Sequence, residues 1–278
     1  METVPRKVFI AANWRSNGVR LFTNQQSQFL STLEFDRQTT EVAVCLPYIH
    51  LQAAKIFLVG QYIVASQNVS MYDNGPYTGE ISAKQLMDIG IDWTIVGQSE
   101  RRIIFGEDNN VIAEKLKRVF EQKMFAIVCV GDSKEDKENN KSLEVIDAQL
   151  NSILEVSKEN WDHLVICYEP IWAKDFGKNV NKSAYDPIWA KYTGESVEQG
   201  WIQSVHEHIR NFIKGKLGEP YAKSTRIIYG GEVTEQNCKE IILINDVDGF
   251  LVGDISLKSE FKTVIESAKL KKYESRID

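Results

Sequence analysis

Apolar residues fall along this chain in two alternating rhythms. Short, almost unbroken apolar runs recur at Val8 to Ala12, Glu41 to Leu46, Ile63 to Gln67, Trp93 to Val96, Phe125 to Val130, Leu164 to Tyr168, Arg226 to Tyr229 and Gly249 to Val252. Strands this continuously apolar are covered on both faces, so the runs predict a buried parallel sheet. Between them the period becomes helical: Ile112, Leu116, Val119 and Phe120 are spaced i, i+4, i+7, i+8, as are Ile146, Leu150, Ile153 and Leu154. Phe261, Val264, Ile265 and Ala268 repeat the pattern near the end. Each stripe predicts the helix face that lies on the sheet. Strand and helix in alternation are the signature of βα units, and periodicity by itself fits either a closed barrel or an open doubly wound sheet.

Composition narrows the function classes. The chain has 278 residues, 43% apolar and 26% charged, enough to bury a large core, and no apolar run reaches the roughly 18 to 20 residues of a membrane helix. A net charge of -6 argues against a broad basic nucleic-acid face and leaves small molecules or proteins as partners. Cys45, Cys129, Cys167 and Cys238 are widely spaced, with no CxxC pair and no histidine at metal-ligand spacing, so no disulfide framework, metal or cofactor is expected. Reduced thiols suit a cytoplasmic protein. The start, METVPRKVFIAAN, predicts no targeting segment. The charged run Ser133 to Lys141 (SKEDKENNK) predicts a solvated loop opening the fifth helix, and Lys269 to Asp278 a solvated tail.

One segment is nearly duplicated. Tyr168 to Lys174 (YEPIWAK) returns as Tyr185 to Lys191 (YDPIWAK), seventeen residues later. A single short copy is no solenoid, so it predicts an insertion at about residues 175–195, in the loop after the sixth strand.

Six motifs at strand ends decide the topology. Asn13 to Gly18 (NWRSNG) resembles the NWKxNG of the triosephosphate isomerase family, and Gly97 to Arg102 (GQSERR) its GHSERR. Tyr168 to Ala173 (YEPIWA) is similar to YEPxWA, Tyr229-Gly230-Gly231 to YGG, and Asp246 to Leu257 (DVDGFLVGDISL) to DGFLVGGASL. Asn74 to Ser82 (NGPYTGEIS) resembles the loop that in this family crosses into a neighbouring subunit. The resemblance covers roughly residues 6 to 270 and implies an α/β chain forming a single (β/α)8 TIM barrel over residues 1–278. It further implies a glycolytic isomerase that interconverts dihydroxyacetone phosphate and glyceraldehyde 3-phosphate, and a homodimer. A barrel gathers its strand C-termini on one face, which is why motifs distant in sequence can form one pocket.

The resemblance implies roles for particular residues. Glu169 matches the catalytic base, with Asn13 and Glu100 beside it. Gln98 stands where the family has histidine, and Arg15 where it has lysine. An amide donates a hydrogen bond but shuttles no proton, and general acid–base groups contribute about 10²- to 10⁴-fold. Arginine keeps the charge on a longer planar fork, with an ion pair to Glu100 across the barrel mouth as its simplest role. The phosphate site would comprise Gly177, Gly230, Gly231, Glu232, Gly253 and Asp254. Glu232 replaces a serine and Asp254 a glycine. Like charges about 4 Å apart cost on the order of 4 kcal/mol at an effective dielectric near 20, so phosphate is expected to bind poorly. The implied dimer surface is Asn74, Gly75, Thr78, Gly79 and Glu80, received by Asn13, Arg101 and Arg102. Ser16, in place of a larger apolar residue, weakens its packing.

Three readings follow. A pseudoenzyme would keep the barrel and serve a structural, assembly or regulatory role, with Tyr185, Trp189 and Tyr192 of the lengthened loop as a docking surface. An impaired isomerase would use Glu169 with Gln98 and Arg15 as substitutes. A redirected barrel would take a non-phosphate ligand, such as a cation, at Glu232 and Asp254.

Overall fold

The computed structural model describes residues 6–173 and 196–271. Eight strands form within them: β1 Val8–Asn13, β2 Thr40–Leu46, β3 Ile63–Ser66, β4 Trp93–Val96, β5 Phe125–Val130, β6 Leu164–Tyr168, β7 Arg226–Tyr229 and β8 Gly249–Val252. They pair in chain order, and β8 returns to β1 in parallel register, Phe9 opposite Gly249 and Ala11 opposite Leu251, so the sheet is a closed barrel. Five strands begin and end where the sequence predicts; β1 runs one residue further to Asn13, β2 starts one earlier at Thr40 and β3 ends one earlier at Ser66.

Alternation along each strand sorts the core into two layers. Phe9, Ala11, Ala43, Cys129, Cys167 and Ile228 belong to the interior cluster. Val8, Ile10, Val42, Val128 and Ile166 face outward, onto the helical stripes of Leu116, Val119, Leu150 and Ile153. The stripes were legible for this reason. Leu154 is half-buried at the edge of its stripe.

Large side chains close the N-terminal end of the barrel. Trp93 stacks on Phe9 at 5.2 Å and on Phe125 at 4.9 Å between ring centroids. The Arg226 guanidinium covers Phe9 at 4.8 Å and pairs with Glu41. The rest of the interior cluster mixes small residues such as Ala11, Ala43 and Ala65 with Ile95, Ile127, Ile228 and Leu251.

The run from Ser133 to Lys141 is not a simple loop. Lys134–Glu138 is a short helix, because Ser133 and Asp136 form a capping box in which each side chain accepts the other's backbone N–H. Lys137 extends its ammonium over the Trp172 ring, 3.5 Å from the centroid.

Candidate active site

Asn13 ends β1 and is buried; its Oδ1 accepts the backbone N–H of Arg15 at 3.1 Å. That bond turns the chain so that Arg15 adopts φ 51°, a left-handed conformation costly for a side chain of this size. The Arg15 fork then reaches two carboxylates: Nε donates to Glu100 Oε1 at 2.9 Å and Nη1 to Asp254 Oδ1 at 3.1 Å. The Glu100 pair is the expected one. The Asp254 pair corrects the electrostatic expectation, since a neighbouring cation offsets much of this carboxylate's charge.

After β4, Gly97 takes φ +79° where a Cβ would stand 2.9 Å from the Cys129 carbonyl oxygen, and Gln98 leads into the short helix Ser99–Ile104. Gln98 is buried, and its Nε2 has no hydrogen-bond partner among the described residues. Such a buried orphan donor costs about 1 to 3 kcal/mol until something accepts from it. Gln98 lies at the end of β4 outside the lining of the cavity described below, whereas Asn13, Arg15 and Glu169 are part of that lining.

Glu169 follows β6 and is only 2% exposed. Its backbone N–H continues the ladder to Val130, and its Oε2 accepts the Ser99 N–H at 2.9 Å. Gly230 packs so closely that a Cβ there would come within 3.0 Å of Glu169 Cγ. A carboxylate fixed this way can accept a proton from a molecule in the cavity.

The turn after β8 brings Gly253 under the guanidinium, where a Cβ would sit 2.7 Å from Arg15 Nη1. Gly230, Gly231, Glu232, Gly253 and Asp254 converge on one cavity of about 460 Å³. Its wall also includes Thr234, Glu235, Gln236, Lys258 and Glu260. Five carboxylates (Glu169, Glu232, Glu235, Asp254, Glu260) therefore meet two cations, Arg15 and Lys258, among the described lining residues. Of these acids Glu232, Glu235 and Glu260 are exposed, and Asp254 is paired with Arg15. Gly177 and the lengthened loop with Tyr185, Trp189 and Tyr192 lie outside the described residues.

Asn74, Gly75, Thr78, Gly79 and Glu80 stand on an exposed loop after β3. Stacking of Tyr72 on Tyr77, 4.1 Å between centroids, and the φ of +94° at Gly79 give it its shape. Arg101 is half-buried with Glu107, while Arg102 runs inward, its Nε on the Gly97 carbonyl at 2.9 Å and its Nη2 on that of Cys129 at 3.3 Å. Burial lowers the Arg102 pKa to about 10. Ser16 is exposed.

Asp132 escaped sequence reasoning. Fully buried, it accepts from Tyr168 at 2.9 Å, Ser142 at 2.7 Å and Trp172 at 3.2 Å, and Trp201 donates to the Tyr168 hydroxyl at 2.9 Å. The network fixes the chain on both sides of Glu169. A lone acid after a strand carries no mark of this in the sequence; only its place at the end of β5 hinted at it.

Fold and cavity together define a (β/α)8 barrel with an enzyme-type pocket at the C-terminal ends of its strands. The triosephosphate isomerase family model matches residues 8–184 and 182–268, two stretches that overlap beside the duplicated segment. The triosephosphate isomerase of Emericella nidulans is 39% identical over 265 residues, 95% of this chain and 99% of the relative. That of Paracoccidioides lutzii is 37% identical over 265 residues, 95% and 99% of the two chains. The cytosolic triosephosphate isomerase of Oryza sativa subsp. japonica is 37% identical over 270 residues, 96% and 98%. The chain belongs to the triosephosphate isomerase family.

Proposed function

We propose that this chain is a triosephosphate isomerase-like barrel that has kept the general base and given up phosphate reception, and that it serves a structural, assembly or regulatory role as a homodimer. The observation that carries this reading is the acid-lined cavity. Where a dianionic substrate would need close-approaching donors, Glu232, Glu235, Asp254 and Glu260 stand in the wall, and Arg15 is engaged with Glu100 and Asp254. Gln98 supplies an amide that cannot relay a proton. The exposed loop from Asn74 to Glu80 supports self-association, since a loop entering a pocket on an identical copy gives an interface that closes at two subunits. Among the described residues no helix is long and apolar enough to cross a membrane. Calorimetry with a phosphate-bearing transition-state mimic tests the reading: no binding at millimolar ligand is expected, and micromolar affinity would refute it.

A second reading is an impaired isomerase, acting as the relatives' name says of them. Two observations favour it. Glu169 is buried and held at the cavity, and Gln98 Nε2 is a buried donor that no described residue uses. A coupled isomerase assay separates the two.

A further inference from the structure

Strand geometry brings three metal-ligating side chains together. Alternate residues of a strand face the same way, so Cys167 on β6 and Glu169 just after it point to one side. Parallel register sets Cys129 of β5 opposite Cys167. One ligand atom from each residue lies within 4.8 Å of the other two, and the residues are 1% (Cys129), 0% (Cys167) and 2% (Glu169) exposed. We propose that Cys129, Cys167 and Glu169 bind one soft divalent cation, Zn(II) or Cd(II), in the barrel interior directly behind the cavity wall.

The dimensions fit. Zn–S bonds near 2.3 Å and Zn–O bonds near 2.1 Å place tetrahedral ligand atoms about 3.5 to 3.8 Å apart, so the cluster needs to contract by at most about 1.3 Å. The charge fits as well. Two thiolates and a carboxylate sum to three negative charges, which a divalent cation and the inward-running Arg102, bonded to the carbonyls of Gly97 and Cys129, bring to zero. Entry is short: Glu169 and Gly230 line the cavity, and a Cβ on Gly230 would stand 2.6 Å from Cys167 Sγ. Thiolates select zinc-like ions over magnesium or calcium.

Binding releases the two thiol protons to solvent and leaves a fourth position for water, so affinity rises with pH. A ligated Glu169 is withdrawn from proton transfer. Metal occupancy and a working base therefore exclude each other, whether or not any isomerisation survives.

Titration of the purified full chain with Cd(II), followed by the ultraviolet thiolate-to-metal charge-transfer band, tests the site. One ion per chain is expected, with the band lost in Cys129→Ser and Cys167→Ala, retained in Cys238→Ala, and shifted to at least about tenfold weaker binding in Glu169→Gln. A band that survives Cys167→Ala, or no band in excess metal, would overturn the proposal. X-ray absorption of the unmutated protein loaded with one equivalent of Zn(II) covers the case of a variant that fails to fold. Two sulfur ligands are expected there, and an all-oxygen or nitrogen shell would overturn it.

Discussion

Arg15 Nη1 donates to Asp254 Oδ1 at 3.1 Å, tying the turn after β1 to the turn after the neighbouring strand β8 at the rim of the barrel. Gly253 makes room for this, because any side chain there would strike the guanidinium. Arg15, a cation of the cavity wall, is thus held by an acid of the same wall. Asp254→Gly combined with Glu232→Ser should free Arg15 from Asp254, leaving its pair with Glu100, and remove two negative charges from the wall. Both acids are solvent-exposed enough to be screened, so the expected gain in inorganic phosphate affinity is about tenfold or more, read by calorimetry. Unchanged affinity would mean that the acids are not what excludes the anion.

Backbone approach around Glu169 predicts a contrast between two glycines. A Cβ on Gly131 would lie 1.9 Å from the Glu169 carbonyl oxygen, so Gly131→Ala must displace the strand end and should cost more than about 3 kcal/mol. Gly60 has φ +84° with nothing near its Cβ position, so Gly60→Ala carries only the left-handed strain of about 1 to 2 kcal/mol. Denaturant midpoints of the two variants measure the difference, and equal losses would contradict the placement of Glu169 against β5.

His206 gives the stability a pH dependence. It is fully buried, with one ring nitrogen on the Asp246 carbonyl at 3.1 Å, and burial lowers its pKa from 6.5 to about 4. Between those values the unfolded chain binds a proton that the folded chain refuses, so stability falls as pH drops from 6.5 toward 4. The full loss is about 3 kcal/mol, at 1.36 kcal/mol for each pH step. Above pH 6.5 both states are neutral and the contribution vanishes. Denaturation curves of the parent and of His206→Phe across this window should diverge in slope; parallel curves would rule the histidine out.

The exposed loop after β3 predicts association. Light scattering at micromolar concentration should give about twice the chain mass of 31.7 kDa, and Gly79→Val, which forces a β-branched residue into φ +94°, should shift the protein toward one chain. A single-chain mass for the parent would refute the dimer.

Much of the barrel was legible because its information is local. Val8 to Ala12 and Phe125 to Val130 announce themselves as buried strands, and the stripe from Ile112 to Phe120 shows which face lies on them. Strand ends also pointed to Glu169, Gly230 and Gly253, since a barrel converges them by construction. What stayed hidden depends on pairs brought together by closure. Nothing in the sequence couples Arg15 to Asp254, 239 positions apart. Cys129 and Cys167 looked unrelated until register set them side by side. Lys137 belonged to a run of charges that reads as solvated, yet its capped helix lays it on Trp172.

If the acids of the cavity wall exclude phosphate, keeping Glu169 does not suffice for isomerisation. A coupled assay with glyceraldehyde 3-phosphate, run on the purified chain beside Glu169→Ala, tests it most directly. The two proteins are expected to be indistinguishable from the uncatalysed rate. Turnover by the unmutated chain that disappears in Glu169→Ala would contradict the account and establish the impaired isomerase in its place.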